Sequence, residues 1–99
     1  MKKAASYFAQ AIELNPYFVD AYINLGALLE KVGKLEPAEQ LLRKAISLHP
    51  LQPRAHYNLG VVYEKTGDRE KAIECYQKAA SLNYHRKNEL ITKIESLRS

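Results

Sequence analysis

Apolar residues recur along this chain at spacings of three and four, with polar residues between them. From residue 2 to 14, Ala4, Tyr7, Phe8, Ala11, Ile12 and Leu14 mark one stripe, which predicts an amphipathic helix. Asn15-Pro16 closes it, because a proline disfavours helical geometry at the residue before it. A second helix is predicted over about 19–32, with Tyr22, Leu25, Ala27, Leu28 and Leu29 packed and Gly33 as its left-handed stop. Pro37 is tolerable only in a first turn, so the third helix starts near 35 and runs to about 48, where His49-Pro50 ends it. Pro53 opens a fourth, over about 53–66, which Gly67 caps. Asp68 is a good N-cap for a fifth over about 69–82, with Glu70 near its positive end. Residues 87–98 carry the stripe Leu90, Ile91, Ile94 and Leu97 on a face opposite alternating charges.

These stripes repeat. Asp20-Ala21-Tyr22-Ile23-Asn24-Leu25-Gly26 returns as Arg54-Ala55-His56-Tyr57-Asn58-Leu59-Gly60, and Ala38, Lys44, Ala45 and Leu48 return as Ala72, Lys78, Ala79 and Leu82. Aligning 19–52 on 53–86 gives 13 identities in 34 positions, against roughly 2 for unrelated segments of average composition. A fixed period of this length means stacked helical units, each burying its apolar face against the next.

The period and its anchor residues resemble the tetratricopeptide repeat. One unit reads Tyr22-x2-Leu25-Gly26-x2-Leu29, then Ala38-x3-Leu42, Ala45 and Pro50. The next reads His56-x2-Leu59-Gly60-x2-Tyr63, then Ala72-x3-Tyr76 and Ala79, with Tyr84 where the proline should be. A half unit precedes them: Ala4-x3-Phe8, Ala11, Pro16. The resemblance covers roughly residues 2–86. It implies an all-α fold, a right-handed α-solenoid of antiparallel helix hairpins forming a single domain over 1–99. Its parts would be a half repeat (1–18), two full repeats (19–52 and 53–86) and a C-terminal capping helix (87–99). Gly26 and Gly60 lie inside helices, where each costs roughly 1 kcal/mol against alanine. The resemblance supplies a reason: a small residue lets the paired helix approach, with Ala38 and Ala72 expected opposite.

Composition adds mainly exclusions. The 46% hydrophobic content suffices for a core, and the net charge of +4 comes from 15 basic and 11 acidic residues spread along the chain. A nucleic-acid partner would require basic charge clustered on one face. No apolar run approaches the roughly 18 residues of a membrane span. Ser6, Gln10 and Glu13 interrupt the apolar residues after Met1-Lys2-Lys3, so no signal peptide or membrane attachment is expected. The single Cys75 excludes an internal disulfide and fits a reducing, cytoplasmic setting. No His-Glu-x-x-His or Cys-x-x-Cys is present, and glycines 26, 33, 60 and 67 keep the helical period instead of forming a phosphate loop. Glu36 and Glu39 suit the positive end of a helix, and His56 stands at the signature aromatic position, where packing is its expected role. His49 and His85 fall in loops. No metal, no cofactor and no enzymatic activity are therefore expected.

What remains is a surface. In tetratricopeptide folds the first helix of each hairpin lines a concave groove. By that resemblance the peptide-binding residues would be Asp20, Ile23, Asn24, Ala27, Glu30 and Lys31 in one unit, and Arg54, Tyr57, Asn58, Val61, Glu64 and Lys65 in the next. Asn88 and Ile91 would join from the last helix. Asn24 and Asn58 hold equivalent places, and an amide offers both donor and acceptor to an extended backbone. The pair is similar to the asparagine ladder in the repeats of protein O-linked N-acetylglucosamine transferase. Members that bind chaperone tails clamp a terminal carboxylate with lysine and asparagine; Ile23 and Ala27 stand in those places here, which argues against such tails. The expected function is a non-enzymatic module that binds a protein or peptide. The alternative is a self-associating scaffold, a homodimer or array, built through Tyr7, Phe8 and Ile12 of the first helix.

Overall fold

A computed structural model of the protein describes residues 2–82 and 87–98. Six α-helices succeed one another: α1 (Lys2–Leu14), α2 (Val19–Lys31), α3 (Leu35–Leu48), α4 (Pro53–Thr66), α5 (Arg69–Ser81) and α6 (Lys87–Arg98). Each packs on the next, and α2 also touches α4. The molecule is accordingly elongated, 42 × 25 × 18 Å, as expected of a helical solenoid in which each unit contacts its neighbours. The positions of Tyr84 and His85 in the repeat lie outside the described residues.

Short-range chemistry sets the helix ends. Gly33 and Gly67 both adopt left-handed backbone, with φ of 85° and 89°. At the first, the Lys34 amide donates to the Leu29 carbonyl at 2.8 Å and the Gly33 amide to Glu30 at 3.0 Å. At the second, Asp68 donates to Tyr63 at 2.9 Å and Gly67 to Glu64 at 3.2 Å. This paired arrangement satisfies carbonyls that a helix end would otherwise leave unbonded. Asp68 then caps α5, its Oδ1 accepting the Lys71 amide at 3.2 Å. After α1, Asn15 Oδ1 accepts the Tyr17 amide at 3.1 Å and so turns the chain towards α2.

The core runs the length of the stack. Ile23, Ala38, Leu42, Ala45, Ala55, Val62, Ala72, Tyr76, Ala79 and Leu90 are fully buried. The close approach expected at the mid-helix glycines is present, and a leucine and a tyrosine make the nearest contacts. A Cβ on Gly26 would lie 2.8 Å from Leu42 Cγ, and one on Gly60 would lie 2.6 Å from Tyr76 Cε1. The large side chains of Leu42 and Tyr76 come nearest to the space that the glycines leave, one turn on from the fully buried Ala38 and Ala72. A ridge on one helix seats in a notch on the other.

The signature aromatic position also has a polar role. The Tyr22 hydroxyl donates to the Pro16 carbonyl at 2.9 Å. His56, 34 residues on, places Nε2 2.8 Å from the Pro50 carbonyl. Since a carbonyl only accepts, His56 carries its proton on Nε2 and reproduces the tyrosine's bond. It is nearly buried, 9% exposed, and that bond satisfies it.

Candidate functional site

The first helices of the two hairpins, α2 and α4, lie side by side, and polar bonds cross between them. Arg54, in the first turn of α4, donates from Nη2 to Asn24 Oδ1 at 2.7 Å. At the other end of the same helices, Lys65 pairs with Glu30. One unit further on, Lys93 of α6 reaches Glu64, with Nζ 3.0 Å from Oε1. Glu30 and Glu64 are equivalent positions, so each first helix offers an acid to the next element of the stack.

Glu64 sits in a tight cluster. The buried Tyr76 hydroxyl donates to its Oε1 at 2.7 Å, and Lys93 lies 3.4 Å from that hydroxyl and 5.2 Å from the ring centre. Burial works against ionising Glu64, but the Tyr76 and Lys93 donors outweigh it and hold the carboxyl below the ordinary glutamate range. For Tyr76 burial comes first and the Glu64 bond second, and both push its pKa up.

The expected groove residues separate into those that a ligand could touch and those that it could not. Asp20 and Lys31 are exposed; Asn24, Ala27, Arg54, Tyr57, Asn58 and Val61 are half-buried; Lys65 is exposed and paired. Ile23 is a correction. It is fully buried in the core, because α2 is covered by α1, α3 and α4 together. That covering buries a wider arc than a lone hairpin would, so Ile23 leaves the candidate surface. Tyr57 packs against the core and lies 5.7 Å from the Tyr76 ring. The Asn24 oxygen already accepts one bond, from Arg54, and keeps a second lone pair; Asn58 makes no such bond to the described residues.

Beyond Asn58 the face opens. α4 and α6 make no close backbone approach, and between them lies a cleft of roughly 430 Å³ lined by Tyr57, Asn88, Glu89, Thr92 and Lys93. Thr92 and Lys93 were missed from sequence, because they stand where Asn58 and Leu59 do in the repeat but carry neither the amide nor the apolar side chain that marks those positions. The buried positions of α6, Leu90 and Ile94, are the counterparts of the buried His56 and Gly60, while Lys93 stands where the buried Leu59 does. Ile91, expected in the groove, is exposed at 43%.

The opposite face carries a second depression of about 380 Å³ between α3 and α5, lined by Arg43, Ile46, Leu59, Tyr63, Lys71 and Cys75 among others. There the Tyr63 hydroxyl donates to Glu39 Oε2 at 2.9 Å. Burial first, then that bond, raise its pKa to about 12. Burial, and then the neighbouring Glu74, raise the Cys75 thiol to about 11. A thiol so protonated is a poor nucleophile.

Of the residues expected at a self-association surface, Tyr7 is 64% exposed, while Phe8 is half-buried and Ile12 packs against the core. Ile12, like Phe8, therefore keeps part of its surface open. Leu14, at 88%, is the more open neighbour.

Comparison with known proteins places this geometry. The structure of SycD, the type III secretion translocator chaperone of Yersinia enterocolitica, superposes with a TM-score of 0.92 over 98% of this chain and 71% of that one. At 16% identity, that speaks for the fold alone. YrrB, a tetratricopeptide protein with an unusual peptide-binding site, is 29% identical, with a TM-score of 0.82 over 96% of this chain and 48% of that one. A 40-residue stretch is 42% identical to an uncharacterised protein of Methanocaldococcus jannaschii; it is 40% of this chain and 46%, less than half, of that relative's length. Models described as tetratricopeptide repeats match residues 7–40 and 53–83, and one described as TPR repeat matches 31–67. The matches succeed one another along the stack from α1 to α5, and the chain belongs to the tetratricopeptide repeat family.

Proposed function

We propose that this chain is a non-enzymatic protein-interaction module that holds an extended peptide or a helix against the face built by α2, α4 and α6. The observation that carries the reading is one continuous, half-exposed strip. Along it Asn24, Arg54, Tyr57, Asn58 and Val61 succeed one another and open into the cleft beside Asn88, Thr92 and Lys93. Half-exposed amides with an aromatic between them suit a backbone in any sequence. The likeness to YrrB, which has a peptide-binding site, supports the same reading. In this reading the domain is the half repeat 1–18, the repeats 19–52 and 53–86, and the cap 87–99. The peptide-contacting set is Asp20, Asn24, Ala27, Lys31, Arg54, Tyr57, Asn58, Val61 and Lys65. The setting is cytoplasmic, on the strength of the one free thiol.

Peptides selected from a displayed library of random 12-residue sequences test it. Replacing Asn24 and Asn58 with alanine should weaken the selected peptides at least tenfold with little loss of helicity, since an unpaired peptide group costs more than a bond contributes. Unchanged affinity moves the site to the opposite face or the ends.

A second reading has one observation behind it: Tyr7 and Leu14 present apolar surface to solvent at the first helix. Two copies could cover it across a two-fold axis. Light scattering should then find a dimer that Tyr7→Glu splits. A monomer up to about 100 μM, well above the micromolar range of specific association, removes this reading.

A further inference from the structure

Two acids of the α2–α4–α6 face are paired within the protein. Glu30 takes Lys65, and Glu64 takes Lys93 and the Tyr76 hydroxyl. Asp20, Lys31 and Arg54 stand outside those pairs, and of the three only Arg54 is half-buried. It lies at the start of α4, and its one side-chain bond to the described residues goes to the neutral Asn24 amide. A guanidinium carries five N–H donors and a charge that is costly to desolvate without a counter-charge. The Asn24 bond spends one donor, on Nη2, and fixes the plane of the fork. The rest of the fork stays available beside Asn58 and Tyr57, one turn along the same helix.

We propose that Arg54 is the specificity-determining residue of this groove. It would receive the side-chain carboxylate of an aspartate or glutamate in an extended partner peptide, with Asn24 acting as its positioning residue. The proposal rests on the groove reading above and deepens it by naming the partner's chemistry: an acidic residue flanked by apolar ones that lie over Ala27 and Val61. A guanidinium held flat by a neutral amide is oriented without being neutralised, which leaves its full charge for a carboxylate. Asp20, in the same repeat position one unit earlier, has the opposite sign. It repels that carboxylate from the neighbouring site and so fixes the register.

The test uses the whole chain and random 12-residue peptides displayed on phage, selected separately on the wild type and on Arg54→Ala. Wild-type selections should be enriched in Asp or Glu at one fixed position, and the Arg54→Ala selections should lose that enrichment. For a synthetic selected peptide, Glu→Gln should cost the wild type about tenfold in affinity, the scale of one charge-assisted bond, and cost Arg54→Ala nearly nothing. Asn24→Ala should reduce the Glu-over-Gln preference without abolishing binding. Arg54→Lys, which keeps the charge but lacks the fork, should fall between; it also serves if Arg54→Ala does not fold. Selected peptides without acidic enrichment, or a Glu→Gln cost equal in both proteins, overturn the proposal. The groove reading survives that result if Asn58→Ala still weakens binding. If no peptide is selected, or if binding ignores both Arg54→Ala and Asn58→Ala, the proposal and the groove reading fall together.

Discussion

Leu29, Leu41 and Leu42 of the first full repeat become Tyr63, Cys75 and Tyr76 in the second, on a backbone that repeats with the same caps and the same close crossing. In the first repeat these positions contribute packing alone. In the second, Tyr63 reaches back to Glu39 on α3, and Tyr76 binds Glu64 on α4 under Lys93 of α6. The second hairpin is thus tied by hydroxyls to elements on both sides. The first relies on apolar contact and on Tyr22 bonding the Pro16 carbonyl. One frame therefore holds two kinds of joint: an apolar one that is insensitive to pH, and a hydrogen-bonded one that adds rigidity and brings titratable groups into the core. The groove residues Tyr57 and Asn58 stand on the bonded side.

The crossings separate the repeats most sharply. Gly60→Leu would drive carbon into the buried Tyr76 ring, and urea unfolding should show a loss of about 3 kcal/mol or more. Gly26→Leu meets Leu42, whose side chain can change rotamer, and should lose about 1 kcal/mol less. Equal losses would mean that the tyrosine crossing is no stiffer than the leucine one.

Alkaline titration should then reverse the ranking. Tyr63 and Tyr76 both ionise less readily folded than unfolded, Tyr63 only near about 12, and the Cys75 thiol, normally near 9, near about 11. A raised folded pKa contributes stability that is fully present below the unfolded value. It is lost as pH rises through the folded value. Helicity followed by circular dichroism should hold up to about pH 9, decline above it through the thiol and then the tyrosine range, and be gone past about 12. Tyr63→Phe with Tyr76→Phe should move the midpoint up. An unmoved midpoint would show that these hydroxyls do not govern the transition.

At neutral pH, Tyr76→Phe alone should cost about 1 kcal/mol in urea, since it leaves Glu64 with Lys93 as its remaining partner. Gln77→Ala, an exposed neighbour on the same helix, should stay within about 0.5 kcal/mol. If the two variants match, the hydroxyl joint contributes nothing measurable.

Most of the fold was legible because its punctuation is local. Pro16, Gly33, Pro50 and Gly67 stop helices through their own backbone geometry, so four helices have the predicted bounds and α2 and α5 end one residue early. The site was legible in outline only. Ile23 was misplaced because its burial depends on three covering helices. The nearest contacts at the glycine notches, Leu42 and Tyr76, were not foreseen because a notch says that something enters it, not what. The Arg54–Asn24 bond spans 30 residues, and no local pattern encodes it. Thr92 and Lys93 were hidden because α6 keeps the register but changes the residue types, with a threonine in the place of Asn58 and a lysine in that of Leu59.

Nuclear magnetic resonance mapping of a selected peptide onto the labelled protein shows directly which face holds it. The largest amide shifts should fall on Asn24, Arg54, Tyr57, Asn58 and Val61 and extend to Asn88 and Thr92. Shifts concentrated on Arg43, Ser47, Glu74 and Cys75, around the depression between α3 and α5, would contradict that placement.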